Sequence, residues 1–283
     1  MLIQVIERTA PSPTGDIHLG HVYSALTAYR NAKANNGVFK LRIEDIDITR
    51  CKIEYENAII KNLTWLGLKW DEKIMRQRNR YKSYNLAIDQ LLKEDLLYPC
   101  SCSRTDVKKA LSAPHIEDTS SLVYPGTCKK VKPNKGVKAL RLNIDKAIKK
   151  LGNDKLYFYE TGITVDNSHE KRPISSETLK KKFGDLVVAR KDIGTSYNLS
   201  VIIDDSAQEV THVTRGNDLL EITPIQVLLQ RILGLQTPTY HHHKLICDDD
   251  GKKLSKRSSS QSISNLIREG FSSSEVIEMA FSL

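Results

Sequence analysis

The sequence predicts an α/β fold: a parallel sheet covered by helices, interrupted midway by a turn-rich module and closed by a short helical end. Three observations carry this. Strand-like and helix-like runs alternate through residues 1–98; residues 99–135 break the alternation with turn residues and three cysteines; and the alternation resumes from residue 184. Alternation of this kind favours parallel strands joined by helical crossovers.

In chain order, "LIQVIERTA" reads as a short strand and "VYSALTAYRNAKANNG" as a helix. "VFKLRIEDID" reads as a buried strand ending in acids, and "IEYENAIIKNLTWLGL" and "YKSYNLAIDQLLKEDLL" carry apolar residues at helical spacing. Within the module, "VKALRLNI" and "KLYFYETGITV" read as strands of one insertion, and "SHEKRPISSETLKKK" as a polar, solvent-facing stretch. The alternation then runs through "FGDLVVAR", "SYNLSVIIDD" and "EVTHVTRG", the helix "TPIQVLLQRILG" and the strand-like "TYHHHKLI". A loop, "CDDDGKKLSKRSSSQS", precedes one or two last amphipathic helices.

With 283 residues, 40% hydrophobic and 27% charged, the chain can bury a sizeable core. Its formal net charge of +9 suits a polyanionic partner such as nucleic acid. No apolar run is long enough to span a membrane, and no secretory signal pattern opens the chain, so a cytoplasmic protein is expected. Five cysteines are too few for a disulfide scaffold, and the clustering of three points to a metal.

The stretch "PSPTGDIHLGH", residues 11–21, sits where a strand gives way to a helix, the place where parallel sheets bind ligands. Gly15 and Gly20 would let a ligand approach the backbone, and His18 and His21 fall on one side of the helix start, where free N–H groups suit phosphate. A capped first turn is the plain alternative. A second motif, "GKKLSKR" at 251–257, puts lysines on a Gly-hinged loop; a lysine is a mobile point charge suited to phosphates whose charge grows during reaction.

"HLGH" with "KLSKR" resembles the paired signatures of class I aminoacyl-tRNA synthetases. "RTAPSPTGDIHLGH", "LRIEDID" and "THVTRGNDLL" are similar to the glutamyl branch, in the right order over almost the whole chain. The resemblance implies a Rossmann-like doubly wound parallel sheet, with an inserted zinc-binding, acceptor-type module and a short helical C-terminal segment. Residues 1–98 would form the first half of the catalytic domain, 99–183 the insertion with its zinc segment at 100–128, 184–250 the second half, and 251–283 the KLSKR loop and helical end. About 26 residues follow Arg257, too few for an anticodon-binding region. A glutamyl-type catalytic domain ending there resembles the glutamyl-queuosine tRNA(Asp) synthetase family, which transfers glutamate to queuosine rather than to the tRNA 3′ end.

Glutamate and ATP with Mg²⁺ are then the expected small substrates, and tRNA(Asp) bearing queuosine the macromolecular partner of a monomer. The resemblance implies that His18, His21, Lys253 and Lys256 serve ATP activation, with Gly15 and Gly20 in the nucleotide site. It implies a glutamate site of Arg8, Thr9, Ala10, Pro11, Ser12, Glu44, Tyr197 and Arg215, with arginine forks on carboxylate and Glu44 on the ammonium. It also implies a structural zinc, one per chain, held by Cys100, Cys102, Tyr124 and Cys128; His115, Glu117 or Asp118 could compete with Tyr124. Adjacent residues of a strand alternate faces, so His241, His242 and His243 read as structural or nucleotide-adjacent rather than a metal site. Asp204 and Asp205, ending an apolar run, suit a turn or ion pairs. Two other readings stand beside this one: a truncated glutamyl-tRNA synthetase charging tRNA(Glu), and a non-catalytic synthetase-like protein that binds tRNA.

Overall fold

The structure, a computed structural model, describes residues 4–103, 105–107, 123–131, 133, 135–162, 169–246 and 262–282. Strand β1 (Ile6–Thr9) lies parallel to β2 (Val38–Ile43), which lies parallel to β3 (Met75–Arg76). The crossover from β1 to β2 is helix α1 (Leu19–Ala34), which buries Leu19, Val22, Ala25, Leu26, Ala28 and Ala32. Every residue of β2 after Val38 is buried, as expected of a parallel strand covered on both faces. Helix α2 (Ile53–Trp65) follows β2. Helix α3 (Tyr81–Lys93) then buries Tyr84, Ala87, Ile88 and Leu91, a helical stripe.

A second sheet has the order β7-β6-β10-β9, from β6 (Leu156–Glu160), β7 (Glu170–Ile174), β9 (His212–Gly216) and β10 (Thr239–His243). Strands β9, β10 and β6 run parallel, and β7 is an antiparallel edge. Strand β9 lies beside β1, where the Thr211 N–H donates to Ile6 O at 3.0 Å. The carboxyl ends of β1, β9 and β10 therefore come together. A third, antiparallel sheet joins β4 (Leu97–Cys100), β5 (Ala139–Leu142) and β8 (Val187–Arg190).

This pairing corrects the expectation that 139–142 and 156–160 are strands of one insertion. Strand β5 pairs with β4 and β8, whereas β6 joins β10 in the parallel sheet, so chain order alone misplaced β6. The run "SYNLSVIIDD", set among strands, is a helix, α5 (Tyr197–Ala207), following α4 (Ile144–Leu151). It is buried along most of its length, through Leu199, Ser200, Val201, Ile202, Asp204 and Asp205. The stretch read as polar and solvent-facing carries mostly exposed side chains, though β7 lies within it.

Helix α6 (Thr223–Ile232) covers the second sheet, and two helices end the chain, α7 (Ile263–Arg268) and α8 (Ser273–Ser282). Val276 and Ala280 of α8 pack in one core with α1, β2 and α2; a second core joins α3, α4, α5 and α6. Among the described residues no helix is long and apolar enough to cross a membrane.

Candidate active site

The loop from β1 to α1 opens a cavity of about 540 Å³, lined by Arg8, Thr9, Ala10, Pro11, His18, Gly20, His21, Glu44, Tyr197 and Arg215, together with residues from the ends of β9 and β10. Eleven of the residues singled out in the sequence, these ten and His243, thus face one space. Ser12 and Gly15 are not among its walls; Gly15 is buried in the loop beneath. Lys253 and Lys256 lie outside the described residues, as do His115, Glu117 and Asp118.

At the start of α1 the two histidines cap the helix rather than leaving its N–H groups free. His18 is the N-cap, its Nδ1 accepting from the Gly20 N–H at 3.2 Å, while His21 Nδ1 accepts from the His18 N–H at 3.3 Å. The N–H groups of His21 and Val22 are bonded to His18 O. An acceptor Nδ1 places the proton of each neutral ring on Nε2, so the imidazoles, not the helix backbone, carry the donors suited to phosphate. The two rings lie with centroids 3.9 Å apart. A Cβ on Gly20 would sit 3.1 Å from the His18 ring and 3.9 Å from Ile246, so glycine keeps this wall low.

The segment after β10 frames the same histidines. Ile246 lines the cavity, and the chain rejoins the described structure at Ser262, which bridges to His18, with the Ile263 N–H donating to Ile17 O at 2.9 Å. Both flanks of the undescribed 247–261 stretch are thus fixed at the mouth of α1.

A second group of wall residues is charged and buried. Arg8 is 5% exposed; its Nε donates to Asp205 Oδ1 at 3.1 Å and its Nη1 to Thr214 O at 3.3 Å. Arg42 is fully buried and ties the same Asp205 oxygen at 2.7 Å to Glu44 at 3.2 Å. Burial pushes the Asp205 carboxyl up, but Arg8 and Arg42 outweigh it and hold it below the usual carboxylate range. Glu44 ends above that range, because burial exceeds the pull of Arg42 and Arg8. Burial raises the Tyr197 hydroxyl, and the Glu44 charge adds to it. Asp205 thus makes ion pairs, as expected; Asp204, fully buried, accepts from Gln77, Arg80 and Tyr84.

Arg215 differs from Arg8. Its guanidinium, on a residue 5% exposed, donates to His242 Nε2 at 3.0 Å, Gln226 Oε1 at 2.9 Å and Thr223 Oγ1 at 2.8 Å. Among the described residues it has no carboxylate partner. The nearest compensation comes through His242, whose Nδ1 donates to Glu160. Burial pushes the Glu160 carboxyl up, yet its bonds to His242 and to the Gly162 N–H outweigh that and lower it. A buried arginine without an acid on it among the described residues carries an uncompensated positive charge into the cavity wall. Arg42, Gln226 and Glu160 have no signal of these roles in the sequence, and the partners of Asp205 have none either: no local pattern announces pairings such as Arg42 with Asp205 or Glu160 with His242.

Away from the cavity, Cys100 at the end of β4, Cys102 and Cys128 bring their Sγ atoms within 4.8 Å of one another. The Tyr124 hydroxyl lies 3.5 Å from Cys100 Sγ and 3.4 Å from Cys102 Sγ. Burial pushes the Cys128 thiol up, but hydrogen bonds from Tyr124 and the Ser101 backbone outweigh it and lower it to about 6. Arg141 supports the cluster, its Nε 3.2 Å from Cys100 Sγ and its guanidinium 3.7 Å from the centre of the Tyr124 ring.

Comparison with known proteins matches this architecture. The family model for the catalytic domain of class I tRNA synthetases (E and Q) fits residues 4–281. The glutamyl-Q tRNA(Asp) synthetase of Rhodobacter capsulatus is 46% identical over 280 residues, covering 96% of this chain and 98% of that protein. The protein of the same name from Geobacter sulfurreducens is 37% identical over 270 residues, covering 94% and 81%. The crystal structure of a glutamate tRNA ligase from Elizabethkingia meningosepticum, in complex with its amino acid, superposes with a TM-score of 0.69 at 27% identity, over 95% of this chain. The chain spans only 54% of that ligase. A methionyl-tRNA synthetase from Mycobacterium tuberculosis shares the fold, with a TM-score of 0.61 at 10% identity. With a matched catalytic domain from end to end and relatives this similar, the chain belongs to the class I glutamyl- and glutaminyl-type tRNA synthetase family.

Proposed function

We propose that the protein uses ATP to activate L-glutamate as glutamyl-AMP and transfers the glutamyl group to queuosine in tRNA(Asp). The observation that carries the activation step is Arg215, buried in the cavity wall without a carboxylate partner among the described residues, in the same cavity as Arg8 and Glu44. A glutamate has two carboxylates for the arginines and an ammonium for Glu44, with Tyr197 adding a hydroxyl; Thr9, Ala10, Pro11 and Ser12 belong to the loop that shapes this site. The transfer step draws its support from the relatives named glutamyl-Q tRNA(Asp) synthetase.

The attacking carboxylate is already ionised, so activation needs no general base. Positioning and cations do the work. The Nε2 donors of His18 and His21 hold the phosphates, with Gly20 keeping the wall low and Gly15 shaping the loop behind it. Lys256 meets the charge that builds on the departing pyrophosphate, and Lys253 assists; the fixed flanks of their segment favour this. Mg²⁺, which arrives with ATP, screens the phosphate oxygens. In the second step a cyclopentenediol hydroxyl of queuosine attacks the glutamyl carbonyl, AMP leaves, and its phosphate takes the proton.

The donor set of the cysteine cluster, three thiols and a phenol, fits a tetrahedral zinc, and we assign that ion to Cys100, Cys102, Tyr124 and Cys128. The test of activation is pyrophosphate exchange. Exchange should appear with L-glutamate, ATP and Mg²⁺, and Arg215→Gln should raise the glutamate KM about tenfold or more. No exchange with any amino acid would overturn the activation step.

A further inference from the structure

Among the described residues, one buried polar atom in the cavity wall has no hydrogen-bond partner: Nε2 of His243, on a residue only 5% exposed at the end of β10. Its other nitrogen, Nδ1, lies 2.8 Å from the backbone oxygen of Lys244. A carbonyl oxygen can only accept, so Nδ1 carries the proton and Nε2 presents a lone pair. Burial lowers the pKa of the ring, which favours this neutral form. The imidazole is also held in place, with the Tyr23 ring edge-on to it at 4.9 Å. Across the sheet its neighbour is Gly216, which has no side chain.

An acceptor of this kind needs a donor from whatever fills the cavity. Phosphate oxygens have none to give. The ammonium of glutamate has Glu44, and Glu44 belongs to the ionic group around Arg8 and Arg42. Among the groups of ATP, the donors that remain are the amine of the adenine ring and the hydroxyls of its ribose. The cavity lining that includes His243 also holds Leu245, Ile246 and Ile17, with the Asp218 carboxylate acting on the His243 ring. A flat aromatic ring suits those three apolar side chains better than a hydroxylated sugar, and the base is the part of ATP farthest from the reacting α-phosphorus.

We propose that His243 Nε2 accepts a hydrogen bond from the 6-amino group of adenine, so that this side chain selects ATP among purine triphosphates. The proposal rests on the ATP-dependent reading of the cavity. It makes His243 a specificity-determining residue that takes no part in the transfer of electrons or protons.

The test pairs a change in the protein with a change in the nucleotide. The full chain, His243→Leu and His243→Gln are compared with ATP, with purine riboside triphosphate, which lacks the 6-amino group, and with 2′-deoxy-ATP. Calorimetric affinity and glutamate-dependent pyrophosphate exchange are both read. The unaltered protein should bind ATP about tenfold more tightly than purine riboside triphosphate, because the latter leaves a buried acceptor unpaired. His243→Leu should bring the two affinities within about twofold of each other, and His243→Gln, which keeps an acceptor, should restore part of the preference. An ATP preference of wild-type size in His243→Leu would overturn the assignment. So would a loss confined to discrimination against 2′-deoxy-ATP, which would give the acceptor to the ribose. Failure of exchange in the unaltered protein would count against the activation step, while the affinity ratio would still decide the role of His243.

Discussion

At the scale of single residues, the site depends on a charge pattern that local sequence does not announce. Arg8 and Glu44 stand out because they occur in recognisable motifs, and both face the cavity. Their orientation depends on Arg42 and Asp205, two buried charges 163 positions apart that share one bond of 2.7 Å. Asp205 Oδ1 takes both Arg8 and Arg42, so it fixes the guanidinium that is to meet substrate. Replacing it by Asn keeps the shape and removes the charge, leaving Arg42 its salt bridge to Glu44 and Arg8 with none among the described residues. Breaking such a pair costs about 3–5 kcal/mol. Asp205→Asn should therefore lower the urea midpoint by an amount of that order and raise the glutamate KM. An unchanged midpoint would remove Asp205 from the account.

At the scale of elements, periodicity identified β1, α1, β2, α2 and α3, because each carries one clear pattern of burial. It does not name the partner of a strand. Residues 196–205 continue the alternation as a helix, with Asp204 packed against Arg80 and Tyr84. Strand β6 follows β5 in the chain and so reads as part of the insertion, because partner choice across 80 residues leaves no local trace. The histidine run was legible in part: alternation separates His242, bonded to Glu160 and Arg215, from its neighbours, as the strand period requires. The cysteine element is the clearest case of a motif that became geometry, since Cys100, Cys102 and Cys128 converge from 29 residues of turn-rich chain. Metal analysis of chelator-washed protein should return about one zinc per chain, with Cys128→Ser losing it. A folded protein without zinc would refute the assignment.

At the scale of the whole molecule, two sheets meeting at β1 and β9 bring three strand ends to one cavity. The chain then returns along β10 and rejoins α1 at Ser262, so the first and last thirds of the sequence enclose the same space. That closure brings Ile246 and Ser262, on either side of residues 247–261, to the start of α1. It also leaves the destination of the activated glutamate as the claim on which the proposed function turns. The most direct measurement is transfer of labelled glutamate, with ATP and Mg²⁺, to purified tRNA(Asp) with and without queuosine. Label should appear on the queuosine-bearing tRNA and not on its unmodified counterpart. Label on the 3′ adenosine of tRNA(Glu), with none on queuosine, would contradict it.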